Sequence, residues 1–76
     1  MTNKQISEHN KRYEYISTYI RQARLNENLT QKDLSHSIHR NTIVRAENSK
    51  NITLLSLFEL ADALNLSLRD IFLDID

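Results

Sequence analysis

The chain has 76 residues, and its ten Lys and Arg balance ten Asp and Glu, with no Cys, Gly or Pro. This length accommodates one domain, and the absence of Cys excludes a disulfide scaffold or a thiolate metal site and fits a reducing cytosol, so we expect a cytoplasmic protein. The missing Gly and Pro favour an all-α chain and exclude glycine-rich phosphate loops, and no run approaches the ~20 apolar residues of a membrane span.

The first predicted helix follows a polar N-terminal segment. Residues 1–12 have no apolar stripe, so we expect a mobile tail or a frayed extension of the first helix, with the domain itself over residues 13–76. An apolar face then predicts a helix that runs to about Asn26; its members are Tyr13, Ile16, Ile20 and Ala23. Asn28 tolerates a left-handed backbone and is expected to terminate this helix.

Two short helices are predicted in the middle of the chain. Thr30 followed by Asp33 resembles a capping box, which indicates the start of a second helix. The apolar face of this helix consists of Leu34 and Ile38. A third helix is predicted from Thr42 to Glu47, and its inward residues are Ile43 and Ala46.

The last two helices are predicted from their caps and apolar stripes. Thr53 is expected to cap a fourth helix, whose broad stripe consists of Leu54, Leu57, Phe58, Ala61 and Leu64. Ser67 with Asp70 is expected to open a fifth, which carries Leu68, Ile71 and Phe72. The chain is therefore predicted to contain five helices and no strand.

The charges are unevenly distributed along the chain. Residues 19–50 hold six Lys and Arg against three Asp and Glu, whereas residues 51–76 hold one Arg against five Asp and Glu. Such an asymmetry is typical of a domain with one face toward DNA phosphate and another turned away from it.

Three stretches of the chain match one known family in the same order. They are IRQARLNENLTQKDL, TIVRAEN and NITLLSLFELADALNLSLRDIF. Together they resemble the Cro/C1-type helix-turn-helix DNA-binding domain over about residues 16–73. The resemblance implies an all-α, five-helix bundle of the lambda-repressor-like type. It also implies double-stranded DNA as the partner, with the third helix as the recognition helix.

The resemblance implies two groups of DNA contacts and one internal ion pair. Base reading needs paired donors and acceptors on a helix in the major groove, and is expected from Arg40, Asn41, Val44 and Arg45. Phosphate contacts are expected from Gln31, Thr42, Lys50 and His39, with Gln31 at the N-terminus of the second helix. Arg24 and Glu47 resemble the pair that joins the first and third helices in this family.

One departure from the family pattern lies between the second and third helices. Members have about two more residues after the position of Ile38, commonly a Gly and an apolar residue. A loss of two residues rotates the later residues of a helix by about 200° about its axis. Two alternatives are open: the second helix ends early and Ser35 to Ser37 form the turn, or the two helices fuse. A fused helix would favour a domain-swapped dimer.

Several apolar residues near the C-terminus exceed what a small domain can cover. We expect a homodimer on a palindromic operator through this surface, which consists of Leu55, Ile71, Phe72, Leu73 and Ile75. His36 and His39 lack the further ligands of a metal site, and no cofactor is expected. No acid and base or nucleophile constellation indicates an enzyme.

Three function classes are compatible with the sequence. The first is a transcriptional regulator, such as a repressor, that binds an operator. The second is an antitoxin or a restriction-modification controller, which would bind DNA and act with a partner protein or a neighbouring gene. The third is a protein-interaction module whose shortened turn has abolished DNA binding, and a salt-dependent affinity for DNA would discriminate it.

Overall fold

A computed structural model describes the backbone of residues 3–73 and the side chains of residues 10–73. Within this part of the chain there are five helices and no strand, as the sequence predicts. Their bounds are Asn3–Asn26 for α1, Gln31–Leu34 for α2, Arg40–Glu47 for α3, Leu54–Ala63 for α4 and Leu68–Phe72 for α5. None of the described helices is both long and apolar enough to cross a membrane.

Helix α1 is longer than the apolar stripe predicts. It begins at Asn3, so the backbone of residues 3–12 continues the helix. The alternative of a helical extension agrees with the backbone, since this segment contains no Pro or Gly to stop a helix. The helix ends at Asn26, and Asn28 has a φ angle of 59°, which confirms the predicted left-handed terminator.

Helix α2 is a single turn that a capping box holds in place. The Oγ1 atom of Thr30 accepts the Asp33 N–H at 3.0 Å, and the Asp33 carboxylate accepts the Thr30 N–H at 2.9 Å. The prediction for this start is therefore confirmed. Because its carboxylate accepts this backbone N–H, the pKa of Asp33 lies below its ordinary value.

The link between α2 and α3 closes through tight backbone turns. The N–H groups of His36 and Ser37 donate to carbonyls three residues back, at 3.3 and 3.0 Å, and that of Ile38 donates to Leu34 at 3.0 Å. Positive φ angles in the described chain occur at Asn28, Ser49 and Asn65. The short link therefore needs no left-handed residue, because three-residue turns advance the chain farther per residue than an α-helix does.

These turns decide between the two alternatives for the shortened link. Helix α2 ends at Leu34 and α3 begins at Arg40, so the fused helix is wrong, and the domain swap that was expected from it loses its basis. The early end of the second helix is confirmed. The third helix begins two residues before the predicted Thr42.

The core lies where α1, α3, α4 and α5 meet. Its fully buried side chains are Ile20, Ile43, Leu60, Leu64 and Ile71. The link contributes Ile38 and α2 contributes Leu34, which are also buried. The inward positions predicted for the first three helices are therefore largely correct, since Ala23 and Ala46 are buried as well.

The apolar stripe predicted for α4 is displaced. Leu54 and Phe58 are 63% and 47% exposed, whereas Leu60 is fully buried. The buried residues repeat at i, i+3, i+4 and i+7 and are Leu57, Leu60, Ala61 and Leu64. Because α4 is apolar around more than half of its circumference, the pattern alone allows more than one inward face.

Helix α5 packs into the core through Ile71, which was expected from the sequence on the dimer surface. Ile71 has no exposed surface and packs in the core of its own chain, so its assignment to a dimer surface is wrong. Ser67 occupies the N-cap of α5 as predicted, but its side chain makes no capping hydrogen bond.

Candidate nucleic-acid interface

Helix α3 packs against α1 and α2 through one side and exposes the other. Ile43 and Ala46 are buried on the inner side. The outward side chains are those expected to read bases, and all four are exposed: Arg40, Asn41, Val44 and Arg45. The helix therefore presents polar groups from its first residue onward.

His39 caps the N-terminus of α3. Its Nδ1 atom accepts the backbone N–H of Asn41 at 3.2 Å. One ring nitrogen of His39 is therefore directed toward the helix. The sequence did not predict this capping role, because the third helix was expected to begin at Thr42. The only signal was the polar side chain directly before the helix, and His is not among the preferred capping residues.

Arg45 is folded along the surface of its own chain. Its Nε and Nη2 atoms donate to the backbone carbonyl of Asn51 at 3.0 and 2.8 Å. The Arg45 guanidinium is exposed but hydrogen-bonded to its own chain. It differs in this from the guanidinium of Arg40, which makes no such contact with the described residues. The two bonds to Asn51 engage only one edge of the Arg45 guanidinium, because its Nη1 atom takes no part in them.

A buried ion pair joins α1 to the end of α3. The Nε and Nη2 atoms of Arg24 donate to the two carboxylate oxygens of Glu47 at 2.8 and 2.9 Å. The resemblance implied this pair, and the two residues are in bidentate contact. The hydrogen bond to Glu47 raises the pKa of Arg24 above its ordinary value. A further bond from Arg24 to the Leu29 carbonyl, at 2.8 Å, satisfies the guanidinium.

Two neighbouring side chains extend this pair. The side-chain amide of Gln31 donates to Glu47 at 3.4 Å, and Arg21 donates to the Glu47 backbone carbonyl at 2.7 Å. The amide of Gln31, expected at a phosphate, therefore contacts the ion pair in this structure. Arg21 was not anticipated, because a basic residue on the polar side of an amphipathic helix reads as a solvated one.

The loop after α3 is held by side chains of α1. Ser49 has a φ angle of 59°, and its N–H donates to the buried hydroxyl of Ser17 at 2.8 Å. The Tyr13 hydroxyl donates to the side chain of Asn51 at 3.4 Å. Lys50 is exposed between these two contacts. The sequence gives no signal for them, since they join residues more than 30 positions apart.

The remaining predicted residues lie on two surfaces. Thr42 is half-buried at the edge of a shallow polar depression of about 500 Å³ between α3 and the start of α4. Leu55, Phe72 and Leu73 are exposed, as a dimer surface requires, at 67%, 42% and 71%. Ile75 lies outside the described residues. No three described His, Cys, Asp or Glu residues are close enough to hold a metal ion.

This architecture defines a class. A short helix, a tight turn and a second helix with exposed polar side chains form a helix-turn-helix unit, a fold that places its second helix in the major groove of DNA. The model of the Cro/C1-type helix-turn-helix family matches residues 20–71, so the chain belongs to this family of DNA-binding regulators, with its lambda-repressor-like all-α fold. No curated protein and no solved structure shows significant similarity to the chain.

Proposed function

We propose that the protein is a sequence-specific transcriptional regulator that binds a palindromic DNA operator as a homodimer. One observation carries this proposal: Arg40 and Asn41 stand exposed at the leading end of α3. The bidentate contact between Arg24 and Glu47 fixes this helix against α1. Arginine pairs with guanine and asparagine with adenine through two hydrogen bonds each, so these side chains have the chemistry of base readers.

The contacts divide into specific and non-specific ones. Arg40 and Asn41 read base edges and Val44 packs against a thymine methyl group, while Arg45 joins them through the N–H groups that its bonds to Asn51 leave unused. The phosphate contacts, which set affinity and register, are made by Lys50, Thr42, His39 and the N-terminal turn of α2 at Gln31.

Selection of binding sites from a random duplex pool, followed by titration of two variants, tests this division. Arg40→Ala should cost roughly 1–3 kcal/mol on the selected site and relax the preference at one base pair. Lys50→Ala should weaken selected and random duplexes alike. Arg69→Ala, which removes an exposed arginine from α5, is the control and should change neither affinity.

Two outcomes contradict the proposal. A wild-type chain with no salt-dependent affinity for any duplex would favour a protein-interaction module instead. Equal losses on selected and random DNA for Arg40→Ala would remove the assignment of base reading to α3.

The homodimer is proposed to form through the exposed apolar residues of α4 and α5. Leu55, Phe72 and Leu73 would repeat on both chains across a two-fold axis, which sets two copies of α3 about one DNA turn apart. Ile75 is proposed to belong to the same dimer surface. Phe72→Asp should give monomers in sedimentation equilibrium, whereas Leu25→Asp, at an exposed leucine on α1, should not. A wild-type chain that is monomeric at high micromolar concentration would refute the dimer.

A further inference from the structure

Within residues 3–73, three helices end with a left-handed residue, and two of these ends form complete Schellman caps. After α1, Asn28 donates to Leu25 at 2.9 Å and Leu29 donates to Arg24 at 3.1 Å. The same pair of bonds follows α4, from Asn65 to Asp62 at 3.3 Å and from Leu66 to Ala61 at 2.8 Å. Both backbone bonds of the motif are therefore present at these two ends.

The cap of α3 differs from the other two. Its outer bond is present, from the Lys50 N–H to the Arg45 carbonyl at 3.0 Å. The inner donor, the N–H of Ser49, goes instead to the hydroxyl of Ser17 on α1, at 2.8 Å. Ser17 is 3% exposed, so this hydroxyl lies inside the fold. A side chain of a different helix thus replaces a backbone acceptor.

The residue type at this cap makes the hydrogen bond to Ser17 important for the conformation of Ser49. The other two caps use Asn, whose short side chain tolerates a left-handed backbone, whereas this one uses Ser at a φ angle of 59°. Ser tolerates a left-handed backbone less well than Asn does, so an acceptor from outside the helix has to hold the conformation of Ser49. That conformation sets the direction of the next residue, Lys50, which is exposed.

We infer that Ser17 is a positioning residue for DNA binding: by accepting the Ser49 N–H, it holds the cap of α3 in the conformation that directs Lys50 toward a backbone phosphate. This inference rests on the proposed function, because it assigns Lys50 to phosphate. Arg21 supports the same arrangement from α1, since it donates to the Glu47 carbonyl at 2.7 Å. Ser17 itself does not touch DNA.

The first test needs no DNA. Amide hydrogen exchange of the full chain, measured by NMR, should show a protected Ser49 N–H in the wild type and a faster-exchanging one in Ser17→Ala. Alanine is the best helix former and lacks only the hydroxyl, so α1 is retained. Asn28 and Asn65, whose caps close within their own helices, serve as internal controls and should not change. Unchanged exchange at Ser49 would overturn the inference.

The second test measures the salt dependence of binding to one duplex. Loss of a phosphate contact lowers the slope of log K against log salt by about one per chain, and Lys50→Ala should do so. Ser17→Ala should give a similar reduction, and Ser17→Ala/Lys50→Ala should give no further one. Ser49→Asn added to Ser17→Ala should restore the slope, since Asn supports the left-handed cap. Thr18→Ala, at the exposed neighbouring position, should keep the wild-type slope.

The outcomes separate this inference from the proposed function. A wild-type slope in Ser17→Ala, or additive losses in the double variant, overturns the role of Ser17 and leaves DNA binding by α3 intact. A wild-type chain without salt-dependent affinity overturns both. Destabilisation alone would not reproduce the non-additivity with Lys50, because a purely structural role weakens binding whatever residue stands at position 50.

Discussion

The two halves of this domain share one apolar core but differ in their polar contacts. From α1 to the loop after α3, the polar half, hydrogen bonds and an ion pair between distant residues add to apolar burial, as between Arg24 and Glu47 or Ser17 and Ser49. Helices α4 and α5, the apolar half, join the fold mainly through buried apolar side chains such as Leu60 and Ile71. Apolar burial is non-directional, whereas a hydrogen bond fixes distance and angle. The directional contacts are concentrated where a helix has to meet DNA at a defined angle.

The largest effect is expected from breaking the polar half at its ion pair. Arg24→Ala leaves the carboxylate of Glu47, which is 3% exposed, buried without its main partner. Removal of one member of a buried pair costs roughly 3–5 kcal/mol of unfolding free energy. Urea denaturation measures the loss, with Arg69→Ala as a control at an exposed arginine. Equal midpoints for the two variants would contradict the structural role of the pair.

The apolar half should respond to substitutions according to the displaced stripe of α4. Leu60→Ala, at a fully buried residue, should cost about 2–5 kcal/mol. Phe58→Ala removes a larger side chain from the half-exposed surface and should cost less than about 1 kcal/mol. Because the two positions are two residues apart on one helix, thermal unfolding of the pair is a matched comparison. A loss at Phe58 as large as that at Leu60 would place the inward face where the sequence pattern first suggested.

A smaller effect is expected at the capping box of α2. Thr30→Ala removes the hydroxyl that accepts the Asp33 N–H and should cost about 1 kcal/mol. Thr30→Ser keeps the hydroxyl and should retain most of the stability, so it is the control. Both can be compared by their urea midpoints, and identical losses in the two variants would mean that the cap does not hold α2.

The smallest effect is expected in the pH dependence of the unfolding free energy, through Asp33. Since the pKa of Asp33 is lower in the folded chain than in the unfolded one, its carboxylate stabilises the fold above the unfolded pKa, and this contribution is lost as the pH falls through the folded pKa. The unfolding free energy should therefore decrease on acidification below about pH 4, and less so in Asp33→Asn. Urea midpoints measured between about pH 6 and pH 3 test this. The same acid dependence in both proteins would contradict it.

Local signals were sufficient to predict much of the fold. Thr30, Asn28 and Thr53 act within four residues of themselves, and each marks a helix end at the predicted place. The contact of Arg24 with Glu47 followed from a family resemblance, because no local pattern joins residues 23 positions apart.

Other features depend on tertiary contacts that a single sequence does not encode locally. Helix α4 has apolar residues on several faces, so only its neighbours select Leu60 over Phe58 for the core. Ser17 looks like an ordinary polar residue until Ser49 is brought to it. The bond of Arg45 to a backbone carbonyl also lies beyond sequence reasoning, since any exposed arginine can make such a bond. The missing information therefore lies in tertiary contacts, both in the candidate site and in the choice of the inward face of α4.

The most direct test of DNA binding through α3 is to map the surface of the protein that DNA perturbs. Amide chemical shifts of the full chain, recorded by NMR during titration with a selected duplex, should change at residues 31, 39–45 and 49–51 and not along α4. Perturbation confined to α4 and α5, or a spectrum that no duplex changes at low salt, would contradict DNA binding through α3.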